Sequence, residues 1–284
     1  MAMTQPTRAQ LLNQAADQLS AVPTSQPRAE AEFLLAAALG LTRTRLLAFA
    51  QEPVDAQDEQ KFWSYIAQKK AGLPVAYITG ETDFCGLTLR SDARALAPRP
   101  ETEELAQYCA NLFERGADPA VLDVCTGSGC LALAVAARFP RAQVIGVDLS
   151  PEALALAAEN ARLTKLQDRV QWLQSDLFEN VSGTFDLIVS NPPYIPTADI
   201  ASLGAEVQHE PRLALDGGAD GLDLVRRIVA VAADYLNPYG TLALEIGLGE
   251  APAVCSLFDA RQWEGGVKKD FAGVDRFVFA RRKF

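Results

Sequence analysis

The stretch Val121-Leu-Asp-Val-Cys-Thr-Gly-Ser-Gly-Cys130, followed at once by Leu131-Ala-Leu-Ala134, decides the fold. Its apolar start reads as a buried strand, the two glycines as a tight turn, and the leucine–alanine run as a helix. Gly127 and Gly129 let the backbone approach a ligand closely and adopt positive φ. The helix start behind them offers N–H groups to a carboxylate or phosphate. Outward from this unit, β-prone apolar segments occur at 120–124, 143–148, 170–174, 185–190, 240–245 and 276–280. Helical segments separate them, as at 151–163, where Ser150 suits the N-cap and Pro151 the first helical position. From residue 99 to 284 this alternation predicts an α/β fold with a doubly wound, largely parallel sheet. Ligands of such sheets bind at the carboxyl ends of strands, near the switch in strand order.

Residues 1–72 read differently, as a small all-α bundle. Thr7 and Gln10 have capping-box form ahead of Leu11, Leu12, Ala15, Ala16 and Leu19 at helical spacing. Pro23 interrupts. A second helix is expected from Pro27 to a stop at Gly40, and a third over 58–71 with Phe62, Trp63, Tyr65 and Ile66 on its apolar side. Between the two regions, 73–98 is expected to be a β-hairpin linker. Gly72, Gly80 and Gly86 punctuate β-prone stretches there at 76–79 and 84–89.

Composition narrows the function classes. The 284 residues are 49% hydrophobic and 22% charged, which excludes a disordered or fibrous chain. A net charge of −10 disfavours broad nucleic-acid binding, because a phosphate backbone would be repelled. No apolar run reaches the length of a membrane span, and the start lacks the charged-then-apolar layout of a secretory signal. Five cysteines without a C-x-x-C pair, and a single histidine, argue for reduced thiols and against a metal site. A cytoplasmic monomer is the expectation.

Two cofactor classes fit the first loop. Gly127, Gly129 and Ala132 satisfy a relaxed dinucleotide fingerprint, so NAD or FAD remains open on spacing alone. Asp148 closes the second strand where a carboxylate can accept from both ribose hydroxyls. Asp123 just before the loop suits an amino-acid ammonium better than a pyrophosphate, which tilts the reading to S-adenosyl-L-methionine. Ser175, Asp176 and Leu177, ending the third strand, would line the adenine in either case.

The fourth strand runs into Asn191-Pro-Pro-Tyr194. Two prolines hold the loop rigid and leave the carbonyls of Asn191 and Pro192 as acceptors. An Asn side-chain oxygen with a backbone carbonyl can receive both hydrogens of a planar –NH₂ group, while Tyr194 packs on the substrate plane and excludes water. An amide nitrogen is a poor nucleophile. Two acceptors on its N–H bonds favour the tetrahedral nitrogen of the transition state, and hydride transfer has no use for such a pair.

With these motifs in view, the chain resembles the class I S-adenosylmethionine-dependent methyltransferases, with their Rossmann-like sheet. More closely, it resembles the bacterial protein-(glutamine-N5) methyltransferases of peptide chain release factors. The resemblance spans nearly the whole chain: Arg28-Ala-Glu-Ala-Glu-Phe-Leu-Leu35, Ala76-Tyr-Ile-Thr-Gly80 with Phe84 and Gly86, Pro98-Arg-Pro-Glu-Thr-Glu103, Asp123 to Gly129, Gly146-Val-Asp148, Asn191 to Tyr194, and Glu210-Pro-Arg-Leu-Ala-Leu-Asp-Gly-Gly218 with Asp220-Gly-Leu222. Asn-Pro-Pro-Tyr is shared with DNA adenine methyltransferases, so it names the acceptor chemistry and not the substrate. It is the 98–103 and 210–218 segments that point to the release-factor enzymes.

The resemblance implies that Cys125, Thr126, Gly127, Ser128, Gly129, Asp148, Asp176, Leu177 and Asn191 line the cofactor. It implies that Asn191, Pro192, Pro193 and Tyr194 hold the glutamine of a Gly-Gly-Gln motif, with Asn191, Pro192 and Tyr194 acting in catalysis and no metal. Two departures stand out: the family commonly has Gly at Cys125, which narrows the loop, and an aromatic residue in some relatives at Leu177. Alternatives are a glutamine methyltransferase of a large-subunit ribosomal protein, a DNA adenine methyltransferase, and a cofactor-binding protein without activity. The reaction does not demand a base, so His209 is not expected to be catalytic. Arg99 and Glu101 fit a place near the active site and a helix start equally well, and the tail Arg281-Arg-Lys283 reads as a solvated surface feature.

Overall fold

The computed structural model describes residues 5–22 and 26–284, so the interruption expected at Pro23 lies outside the described residues. By their contacts the residues divide into two compact units. One comprises the chain up to Glu81 together with Leu203–His209; the other comprises Thr82–Ser202 and Glu210–Phe284.

The first unit is helical: α1 (Arg8–Leu19), α2 (Pro27–Leu39), α3 (Arg43–Ala48), α4 (Ala56–Lys70) and α5 (Val75–Thr79). The capping box forms at Thr7 and Gln10, and Gly40 ends α2 in the left-handed region at φ 62°. Leu11, Leu12, Leu34, Leu35, Phe62 and Ile66 make its core. Lys69 is buried and ion-paired with Glu206 and, at 3.4 Å, with Glu30. Residues 76–79, expected as a β-prone stretch, are helical instead. Pro74 starts the turn, and Gly80 at φ 77° ends it.

A hairpin follows, β1 (Glu81–Phe84) and β2 (Leu87–Arg90), all but Glu81 in the second unit. The stretch expected as one strand over 84–89 is split by its turn. Cys85 at φ 50° and Gly86 at φ 77° are both left-handed, as a two-residue hairpin turn requires. The hairpin is tied to α8 (Pro151–Leu163) by Asn160, which is fully buried. Its Oδ1 accepts from the Arg90 N–H at 2.7 Å, and its Nδ2 donates to the Arg90 and Ser128 carbonyls.

The main sheet has seven strands: β3 (Ala120–Val124), β4 (Gln143–Asp148), β5 (Val170–Gln174), β6 (Phe185–Ser190), β7 (Leu236–Glu245), β8 (Trp263–Lys269) and β9 (Asp275–Arg282). Their spatial order is β5-β4-β3-β6-β7-β9-β8. The first five in that order pair in parallel, and β9 pairs antiparallel with β7 and β8. The first four strands fall at the expected residues. β8 is the strand that sequence reading missed: Trp263-Glu-Gly-Gly-Val-Lys-Lys269 is an edge strand, and only Trp263 in it is buried. Between the strands run α6 (Pro100–Ala110), α7 (Cys130–Arg138) and α8. A short α9 (Ala205–Gln208) belongs to the helical unit, and α10 (Asp223–Tyr235) and α11 (Ala251–Cys255) follow. One face of the sheet packs on α6 and α7 through residues such as Leu105, Leu133 and Phe139. The other packs on α10 and α11 through Val225, Ile228 and Val254. Strand order reverses between β3 and β6, so their carboxyl ends mark the ligand crevice.

Candidate functional site

At that crevice the β3 loop is built from the inside. Asp123 is fully buried, and its Oδ2 accepts from Thr126 Oγ1 at 2.6 Å and from the Ala132 N–H at 3.1 Å. Through Oδ2 this carboxylate braces the loop, while its buried Oδ1 has no hydrogen-bond partner. Cys125 sits at φ 60°, a left-handed conformation that explains why Gly suits that position. Asp148, at the end of β4, accepts from the Gly127 N–H at 2.8 Å and the Ser150 N–H at 2.9 Å. Each oxygen keeps lone-pair capacity for a ligand hydroxyl.

A cavity lies above this loop. Of the positions named from sequence, Cys125, Thr126, Gly127, Ser128, Asp148, Asp176, Leu177, Asn191 and Pro193 line it; Gly129, Pro192 and Tyr194 do not. Gly129 lies beneath. A Cβ there would stand 2.7 Å from Cη2 of Trp172, and one on Gly146 would stand 2.5 Å from Cζ3 of the same indole. The segment Arg94–Arg99 also lines the cavity and went unnoticed in sequence except for Pro98 and Arg99. Buried Glu210 clamps it, accepting from the Ala97 N–H at 3.0 Å and pairing with Arg99.

The Asn-Pro-Pro-Tyr loop is fixed on both sides. Ser190 Oγ donates to the Val124 carbonyl at 2.6 Å, joining the ends of β6 and β3. Beyond it, the Ile195 N–H donates to Leu215 and the Gly217 N–H donates to Ile195. Gly217 and Gly221 permit this zipper. Cβ atoms there would lie 2.8 Å from the Pro193 carbonyl oxygen and 2.4 Å from that of Tyr194. Asn191 Nδ2 donates to Thr102 Oγ1 at 3.0 Å, and Thr102 donates to Glu245 Oε2 at 2.8 Å. His209 does not line the cavity; its Nε2 stands 3.2 Å from the Ala71 carbonyl in the helical unit. Among the described residues no cluster suits a metal ion, and no helix is long and apolar enough to cross a membrane.

Burial pushes the Tyr194 hydroxyl up to about 12, with nearby Glu245 adding to the effect, so it stays protonated. Burial also raises two carboxyls to about 7. Asp123 does so against its hydrogen bonds from Thr126 and Ala132, with Asp148 reinforcing; Glu245 does so against Thr102, Arg276 and Arg99, with Glu101 reinforcing. Both values lie above those of unfolded carboxyls. The native state therefore holds extra protons between about pH 4 and 7, and stability falls as pH rises across that window. Urea midpoints are expected to drop from pH 5.5 to pH 8, by up to about 2 kcal/mol of stability per carboxyl. Asp123→Asn should flatten the slope, and a slope unchanged in Asp123→Asn would refute the assignment for that residue.

Comparison with known proteins gives the family. Residues 10–80 match the family model described as PrmC N-terminal domain, and residues 105–209 match the methyltransferase small domain. The release factor glutamine methyltransferase of Deinococcus radiodurans is 45% identical, covering 96% of this chain and 97% of its own. That of Moorella thermoacetica is 42% identical, covering 98% and 99%. Among solved structures, the Thermus thermophilus 16S rRNA N2 G1207 methyltransferase, in complex with AdoMet and guanosine, shares the fold. Its TM-score is 0.51 at 21% identity, over 71% of this chain and 49% of that one. Fold and site thus define a methyltransferase on a doubly wound sheet. The chain belongs to the release factor glutamine methyltransferase family.

Proposed function

We propose that this protein transfers a methyl group from S-adenosylmethionine to the side-chain amide nitrogen of the glutamine in the Gly-Gly-Gln motif of peptide chain release factors. The observation that carries the reading is the position of Asn191. It follows directly on β6, lines the same cavity as Asp148, Asp176 and Leu177, and commits its amide nitrogen to Thr102. Oδ1 is then the end that can receive an N–H from substrate.

The residues fit the cofactor. Gly127 at φ 55° leaves open space where a Cβ would meet only Ala95, at 3.8 Å, so a ligand can lie close to the backbone. In this reading Asp148 accepts from the ribose hydroxyls and Leu177 packs on the adenine. When bound, S-adenosylmethionine supplies an electrophilic methyl on a sulfonium. The protein's part is to hold the glutamine nitrogen in line with it. The nitrogen lone pair would take up that methyl as the sulfonium left as its neutral thioether, and the proton freed from nitrogen would pass to solvent. Asn191 Oδ1 and the Pro192 carbonyl draw on the two N–H bonds and favour the pyramidal nitrogen that the transition state needs. Tyr194, protonated throughout, covers the site against water.

The relatives' names favour release factor as the acceptor over a ribosomal protein or DNA adenine, and a net charge of −10 speaks further against DNA. The test is transfer of labelled methyl to unmodified release factor, beside a copy whose Gly-Gly-Gln glutamine is replaced by glutamate. Label confined to the former is the expected result. Equal labelling of both, or of neither, would overturn it.

A further inference from the structure

Of the buried pair Thr102 and Glu245, Thr102 reaches the cavity wall and Glu245 does not, and the pair ends on Asn191. Thr102 is the third residue of α6 and is 2% exposed; Glu245 is the last residue of β7 and is 1% exposed. The two stand 143 positions apart in the chain.

We infer that Thr102 and Glu245 are positioning residues that orient the Asn191 amide so that its oxygen, and not its nitrogen, faces the acceptor. This inference rests on the proposal that Asn191 receives the substrate amide. The two ends of an Asn side chain are nearly equal in shape, so packing alone does not choose between them. Here a chain of hydrogen bonds does. Above about pH 7 the Glu245 carboxylate is ionised and only accepts, so the Thr102 hydroxyl must spend its single proton on Oε2 at 2.8 Å. Its lone pair then faces Asn191, which can satisfy it only with Nδ2–H, as found at 3.0 Å. Oδ1 is left as the outward end. An inverted amide would present two donors to a substrate –NH₂ and would welcome a carboxylate. The relay therefore also selects glutamine over glutamate.

Glu245 lies near Arg276, Arg99, Glu101 and Tyr194. Burial raises its carboxyl to about 7, and protonation at Oε2 would reverse the relay. An acid limb in turnover follows from the same geometry.

The test combines turnover on release factor with an activity-independent readout, hydrogen exchange of the Asn191 side-chain NH₂ followed by NMR. Thr102→Val is expected to lower kcat by about 10- to 100-fold, with KM and cofactor Kd within about threefold, and to speed exchange of that NH₂. Thr102→Ser should restore both. Combining Thr102→Val with Asn191→Ala should add nothing to the loss from Asn191→Ala alone. Glu245→Gln should abolish the acid limb at a reduced plateau. The relay is overturned if the Asn191 NH₂ exchanges freely in the unmodified protein. It is equally overturned if Thr102→Ser is as poor as Thr102→Val, if the loss lies wholly in cofactor Kd, or if the losses in the double variant multiply. A protected NH₂ that Thr102→Val releases, in a protein that labels no release factor, would uphold the relay and refute only the acceptor assigned above.

Discussion

Asn191→Ala is expected to reduce methyl transfer to release factor by at least about a hundredfold, while cofactor affinity changes by less than about tenfold. The reason is the division of labour around the cavity. In the proposed reading, Asp148 at the end of β4 and the backbone of the glycine loop take the cofactor side, and Asn191, just after β6, takes the acceptor. Removing the side chain deletes one of two acceptors on the substrate N–H bonds. Those bonds become more acidic as nitrogen gives up its lone pair, so the loss falls on the transition state more than on ground-state binding. Thermal stability should change little, because Asn191 is only half-buried and its backbone is held by its neighbours. Ser190 remains anchored to Val124, and Ile195 to Leu215. Single-turnover rates beside calorimetric cofactor binding would check this. A rate within threefold of the parent would remove Asn191 from the catalytic machinery.

The other large effect is expected at Gly129, which does not line the cavity described above. Gly129 caps α7 at φ 81°, where an alanine is strained by about 1–2 kcal/mol. Its new Cβ would also stand 2.7 Å from Cη2 of Trp172 and 3.0 Å from Cβ of Ala157. The indole cannot retreat freely, because it already lies over Gly146. Overpacking of this kind adds about 1–3 kcal/mol. Gly129→Ala should therefore lower Tm by roughly 10 °C. It should also weaken cofactor binding, since the loop N–H groups between Thr126 and Gly129 shift with the helix start. Trp172→Leu removes the obstruction but not the strain. In that background Gly129→Ala should be distinctly milder, and an equal penalty in both backgrounds would exclude the indole as the cause.

Where sequence reading erred, the cause was local propensity set against tertiary context. Residues 76–79 are β-prone, yet a proline before them and a glycine after them close a helical turn. Phe84 to Leu89 alternates like a strand, but Cys85 accepts a left-handed conformation and the chain reverses there. Trp263–Lys269 lacks an apolar stripe because it lies at the edge of the sheet. Its pairing with β9 supplies what its side chains do not. That Asp123 is fully buried and holds Thr126 and Ala132 was not legible either, because no local pattern reports burial.

The strands at 120–124, 143–148, 170–174 and 185–190, the capping box at Thr7, and the helix from Pro151 were all legible from residue order alone. Period, caps and turn residues act within a few positions, and each of these elements obeys them. The same holds for the placing of Asp148 and Asn191 at strand ends, which fixes the side of the sheet on which the crevice lies. Only the tertiary structure decided what supports those residues. Trp172 over Gly129 and Gly146, Gly217 and Gly221 against the Pro193 and Tyr194 carbonyls, Glu210 on Arg99, and the path from Glu245 through Thr102 to Asn191 join distant parts of the chain. Such pairs are selected by shape, by exclusion of water and by the need to satisfy every buried polar atom, and these conditions exist only once the sheet has assembled.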